Sequence, residues 1–341
     1  MTSETAASGG LKAGAIQFFS TWNLAILLII LIAAFSILKG DTFLTAFTFQ
    51  SMMNSRSINA MVALAVMIPL AANSYDLSVA SVLGISQVLA NGLQTQQHLP
   101  WPVGALACLL LGAGVGLING LLVTRARINS FIATLGSGTF LLGVNQWYTG
   151  GRQVVGYLPH DFTMISGKLP FIGIPAAVVY VVIIAVVLWI VFDYLPLGRY
   201  LYVIGDSPRA AELSGISART YVSLAFVASG TLAAFAGIVL QAQLQVGQST
   251  VGQELMLPAF TGALLGATAI RPGRPNVWGT VLAVSVLAVA VAGLTQLGAP
   301  FFVENLFNGA MLVLAVGLAM ATHRRRERRN AQARALARQK C

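Results

Sequence analysis

Between Asn23 and Ala321 the chain is a succession of apolar stretches, with nearly all of its charge falling between them. A helix of about 20 apolar residues crosses the hydrocarbon core of a bilayer, and shorter pieces suffice where helices are broken. Such stretches fall at 22–38, 58–73, 78–93, 103–124, 128–148, 174–192, 222–243, 255–270, 277–297 and 303–321. They predict an all-α polytopic membrane protein of about ten transmembrane helices. The least regular part is 58–93, where Asn73-Ser74-Tyr75-Asp76 interrupts the apolar run. Two short helices or one broken re-entrant element both fit there.

Composition excludes a soluble fold. Only 9% of the 341 residues are charged and 57% are hydrophobic, whereas a soluble domain carries about 25% charged residues. The net charge of +10 would suit nucleic acid, but its placement argues against that partner. Eight basic residues against Glu327 alone crowd the stretch from His323 to Lys340, which carries seven of the ten net charges. A basic cluster just after an apolar span marks a cytosolic flank and can touch anionic membrane lipid.

With that tail inside, alternation places Arg125, Arg127, Arg199, Arg209, Arg219, Arg271 and Arg274 inside as well. Arg56, Arg152 and Lys168 fall outside, and an even number of spans puts the N-terminus inside. The expected organisation is a cytosolic tail at 1–20, a membrane domain at 21–322 with a cytosolic loop at 193–222, and a basic cytosolic tail at 323–341. The first twenty residues, with Glu4 and Lys12, are too polar for a secretory signal.

A weak internal repeat runs through the spans. One half begins at Leu77-Ser78-Val79 and continues from Pro102 and Asn129; the other begins at Glu254 and continues from Asn276 and Phe301. Each half holds three spans with similar turn positions, and alternation gives the halves opposite senses. This inverted pseudo-repeat is the kind that builds a transport pathway at its interface.

Catalytic signatures are missing. There is no G-x-x-x-x-G-K-[ST], no H-E-x-x-H and no C-x-x-C, and His98, His160 and His323 fall in loops or flanks. Cys108 lies inside a span and Cys341 ends the chain, so they define neither a disulfide framework nor a metal site. No cofactor, metal or enzymatic activity is expected.

Asp76 is the most conspicuous ionisable residue near a span. A charge at a helix centre costs about 2.5–3.5 kcal/mol on insertion scales, so it needs a reason to be there. It can line the path or carry a proton, or it can cap the helix that restarts at Leu77 or Ser78. Glu254 poses the same choice at the start of another span, and Glu304 reads as interfacial. Gln87, Asn91, Asn119, Asn145, Gln146, Gln241, Gln243, Gln296 and Asn308 read chiefly as interhelical hydrogen-bonding groups. Asn73, Asp76, Ser78, Asn119 and Glu254 are the candidates for the translocation path.

The loop at 193–222 contains one short helix with both ends marked. Ser207 is a cap, Pro208 fits the first helical position, and Gly215 can close the helix in a left-handed turn. Arg209 to Ser214 between them are small or helix-favouring residues with, on this reading, nothing of their own to pack on. The helix therefore reads as a docking surface for another protein.

Several ordered motifs carry a family resemblance. Gly198-Arg199-Tyr200, Gly205, Ala210-Ala211 and Ser214-Gly215-Ile216 resemble the cytosolic coupling loop of ribose-type permeases, the membrane subunits of ABC sugar importers. Asp76-Leu77-Ser78-Val79, Phe131-Ile132-Ala133-Thr134-Leu135-Gly136, Asn119-Gly120 and Trp278-Gly279-Thr280 are similar to further motifs of that family. The likeness runs from about residue 50 to about 320. Departures are Ser74 and Ala80, where the family has glycines, Met256, where it has an Asp, and a basic loop at 266–275 in place of a Gly-Gly-rich one.

The resemblance implies a permease in the bacterial inner membrane that works as a dimer with a second copy or homologue. Cytosolic ATPase subunits would drive it and an external solute-binding protein would feed it. The coupling contacts it implies are Gly198, Arg199, Gly205, Ser207, Pro208, Ala210, Ala211, Glu212, Gly215 and Ile216. The solute it implies is a monosaccharide or polyol. A nucleoside or branched amino acid stays open as an alternative, as does an ion-coupled secondary transporter using Asp76 or Glu254.

Overall fold

A computed structural model describes residues 4–169 and 173–317, with side chains from residue 21 onward. The basic tail, with His323 and Cys341, lies outside the described residues. The helices are α1 (Glu4–Phe43), α2 (Ala46–Leu70), α3 (Ser78–Thr95), α4 (Trp101–Thr124), α5 (Ser130–Thr149), α6 (His160–Thr163), α7 (Ala176–Asp193), α8 (Pro196–Asp206), α9 (Pro208–Leu213), α10 (Ala218–Leu244), α11 (Val251–Gly266), α12 (Val277–Gln296) and α13 (Phe302–Gly317). No β-strand occurs among the described residues; Val154–Gly247 and Lys168–Pro175 pair as isolated bridges.

Each of the ten expected spans has a helical counterpart. Five helices are long and apolar enough to cross a membrane by length and composition alone: the Thr21–Phe43 part of α1, then α4, α7, α10 and α12. The irregular stretch at 58–93 forms two helices, α2 and α3, joined by residues 71–77. The two groups of three expected from the repeat are α3–α5 and α11–α13, and α3 meets α11 where Ala80 and Gly84 approach Gly252.

Burial explains why the weaker spans look weak. Every residue of α2 from Ser57 to Leu70 is buried. The helix is enclosed by α7, α10, α11 and α12, so it meets protein on all sides and tolerates Ser57 and Asn59. α1, α4, α5 and α7 instead expose large apolar side chains, including Ile30, Leu110, Phe140 and Val182. An apolar exterior of this extent matches hydrocarbon, not water.

The most extensively packed helix pair is α4 and α10. A Cβ on Gly112 would collide with Gly230 O, one on Gly116 with Phe226 O, and one on Gly120 would stand 2.7 Å from Ser223 Cα. Small residues at these positions let the two backbones touch, the usual device for helix association in lipid.

Candidate coupling surface and polar core

Two helices occupy 193–222, not one. α8 was not expected separately; it begins at Pro196 and buries Leu201, Tyr202 and Ile204. α9 follows with the expected punctuation. Ser207 Oγ accepts from Ala210 N, Pro208 stands at the first position, and Gly215 adopts φ +78. Ile216 N then donates to Ala211 O at 3.0 Å and closes the turn.

The claim that this helix has nothing of its own to pack on is corrected by the structure. Ala211 is fully buried within the main apolar core. Gly198 lies against the backbone of Phe192, and a Cβ on Gly205 would stand 2.5 Å from Ala71 O at the end of α2. These three residues bind α8 and α9 to the protein's own body. Arg199, Ser207, Pro208, Ala210, Glu212 and Gly215 are exposed, and Leu213 is 84% exposed. Ile216 is half-buried.

The basic loop between α11 and α12 clamps this unit from the side. Arg271 makes a two-pronged ion pair with Asp193 at 2.5 and 3.0 Å, and Arg274 reaches Asp206 at 2.7 Å. Tyr202 Oη donates to Pro275 O at 2.7 Å, with the Arg274 guanidinium 5.4 Å from its ring centre. Burial pushes the Tyr202 phenol up to about 12. Asn276 ties the loop together: Nδ2 donates to Gly266 O, Ala269 O and Arg274 O, while Oδ1 accepts from Gly279 N and caps α12.

The α2–α3 junction holds the buried polar core. Asp76 is 1% exposed and is the one buried acidic or basic side chain among the described residues. Its Oδ1 accepts from Ser78 N at 3.1 Å and Ser78 Oγ at 2.6 Å. Asn119 Nδ2 donates to Ser78 Oγ at 2.8 Å. Asp76 thus caps the helix that restarts here, one residue ahead of the cap position, which Leu77 occupies. Among the described residues Asn119 Oδ1 has no hydrogen-bond partner, and Ser229 of α10 stands beside the Asp76 carboxylate. Backbone groups of the junction bond to side chains of α5, with Tyr75 N donating to Ser130 Oγ and Leu77 N to Thr134 Oγ1, both at 3.0 Å.

Asp76, Ser78 and Asn119 therefore form one cluster, but Asn73 and Glu254 do not join it. Asn73 is exposed with φ +54 and faces α9. Glu254 is exposed in the first turn of α11 and makes no hydrogen bond among the described residues, so it does not act as a cap. The expected amide pairing is met at Gln87 and Gln241, whose amides meet at 2.7 Å. Gln87 also bonds Val246 O and Gln248 N, and Asn145 donates to Ser249 O at 3.2 Å. These amides pin residues 245–249 against α3 and α5.

A helical bundle with an apolar exterior, an almost uncharged interior and a clamped helical pair at one end is the architecture of a polytopic membrane protein. The chain belongs to the family described as branched-chain amino acid transport system / permease component, which matches residues 48–316. It is 31% identical to a ribose import permease protein of Bacillus subtilis over 293 residues, covering 85% of this chain and 89% of that one. It is 26% identical to a D-allose transport system permease protein of Escherichia coli over 301 residues, with 88% and 92% covered. A galactose/methyl galactoside import permease protein of Haemophilus influenzae is 28% identical over 329 residues, with 90% and 94% covered. No solved structure matches.

Proposed function

We propose that this chain is the membrane permease subunit of an ATP-driven importer for a small neutral solute, a monosaccharide or polyol. The observation that carries the reading is the buried polar inventory: amides and hydroxyls in number, with Asp76 as the one buried acidic or basic side chain among the described residues. Such groups make brief hydrogen bonds to a hydroxylated solute, whereas a charged solute would need a countercharge at membrane depth. The names of the ribose, allose and galactose relatives agree with it.

ATP hydrolysis takes place on a separate cytosolic chain that docks on the exposed face of α9. An external binding protein delivers the solute, and a second permease copy or a homologue completes the pore in the bacterial inner membrane. Asp76, Ser78 and Asn119 contribute to the path, with Asn73 and Glu254 as further path residues outside that cluster. Both termini are cytosolic and the basic tail lies on anionic lipid. In a variant lacking Cys108, an impermeant maleimide should fail to label Cys341 in intact cells and label it after lysis. Labelling from outside reverses the orientation.

The family's description supports a second reading, a branched amino acid as solute. Reconstitution with the ATPase and binding protein, followed by ATP-dependent uptake of a labelled panel, decides. Uptake of monosaccharides or polyols supports the proposal; uptake confined to amino acids overturns it in favour of the second reading. Uptake driven by an ion gradient without the ATPase removes both.

A further inference from the structure

A pocket of about 610 Å³ opens between α9 and the α2–α3 junction. Its walls bring together Arg127 from the end of α4, Arg209 from α9 and Arg219 from α10, with Glu212 as the single acid. None of the three arginines makes an ion pair or hydrogen bond with the described residues, whereas Arg271 and Arg274 nearby are both paired. Asn73 and Arg127 on its rim hold left-handed backbone at φ +54 and +56. Non-glycine residues adopt that conformation at a cost and concentrate at binding and switching sites.

Three exposed arginines lining one pocket, none of them ion-paired among the described residues, leave a local excess of positive charge that an anion would neutralise. Their planar forks match tetrahedral oxyanions, and three cations against one carboxylate leave an excess that suits a doubly charged group. A neutral solute has no use for such a wall. Pro208, Arg209 and Glu212 of α9 line the pocket, whereas Leu213, 84% exposed, does not.

We propose that this pocket is a phosphate-binding site, filled by the headgroup of an anionic phospholipid or by a free phosphate ester. The bound phosphate links α9 to the ends of α4 and α10 and to the α2–α3 junction. It thereby fixes the coupling helix against the membrane core. The inference stands on three unpaired arginines from separate parts of the chain lining one pocket and is independent of which solute is moved.

The test uses the full-length permease in detergent. Native mass spectrometry measures retention of dioleoyl-phosphatidylglycerol against dioleoyl-phosphatidylcholine. Thermal unfolding measures stabilisation by glycerol 3-phosphate against chloride at equal ionic strength. The triple variant R127Q/R209Q/R219Q is compared with R125Q, an arginine outside the pocket. Preferential retention of phosphatidylglycerol that weakens by about tenfold or more in the triple variant, the factor one charge-assisted contact carries, identifies a headgroup site. The same loss with glycerol 3-phosphate identifies a free ester. If the triple variant fails to fold, R209Q alone takes its place in both arms. Absence of preference for either probe in the wild type overturns the proposal, as does equal binding by wild type and pocket variant, or an equal loss in R125Q.

Discussion

Gly205 of α8 packs directly onto the carbonyl oxygen of Ala71, the residue that closes α2. This contact joins the α8–α9 unit to the α2–α3 junction without an intervening side chain. Residues 71–77 contain Asp76, so one short segment of backbone connects this contact to the buried polar cluster. Replacing Gly205 by Val should force α8 away from α2, an overpacking that costs about 1–3 kcal/mol. The expected result is a lower Tm in detergent and loss of ATP-dependent uptake; wild-type uptake would show that the contact transmits nothing.

Leu213 and Ala211 should separate docking from folding. Leu213→Asp alters an 84% exposed side chain, so it should leave Tm unchanged while the ATPase no longer co-purifies. Ala211→Asp places a charge at a fully buried position and should lower expression and Tm. Normal ATPase binding by the Leu213 variant would move the docking surface elsewhere.

Asp76 acts through Oδ1, which holds Ser78 N and Ser78 Oγ. Asp76→Asn keeps that acceptor and should retain most of the uptake. Asp76→Ala leaves both donors buried without a partner, at about 1–3 kcal/mol for a lost acceptor, and should fail in uptake and stability together. Complete loss of uptake in a normally folded Asp76→Asn variant would instead assign the carboxylate a role in transport chemistry.

The Arg271–Asp193 pair is half-exposed on its arginine side, and pairs of that kind contribute about 0.2–1 kcal/mol. Its role is positional. Arg271→Glu should change Tm little but lower the solute moved per ATP hydrolysed. Combining it with Asp193→Arg should restore that ratio. Failure of the double exchange to recover coupling would reduce the pair to a surface contact.

The spans were legible because hydrocarbon demands continuous apolar sequence, and the marks at Ser207, Pro208 and Gly215 fixed α9. α8 could have been found: Pro196 precedes Leu197, Leu201 and Ile204, one helical stripe. The clamp could not, since Arg271 and Arg274 meet acids 78 and 68 residues away and no local pattern announces such partners. Ser229 was missed for the same reason, and Thr134 was noticed only as part of a motif, without its bond to Leu77 N. Glycines also misled: Gly198 and Gly205 read as surface contacts, yet they are small because the chain's own backbone crosses them.

The seam between α4 and α10 has a mechanical consequence. Where Gly112, Gly116 and Gly230 bring main chain onto main chain, no side chain remains to swing into a new rotamer. Helices so joined have one way of fitting and behave as a single beam. The α2–α3 junction is held in another manner, by hydroxyls of Ser130 and Thr134 that can exchange partners. Sliding of α4 along α10 would drive main chain into main chain, whereas the hydroxyls at the junction offer more than one acceptor and donor to the backbone they hold.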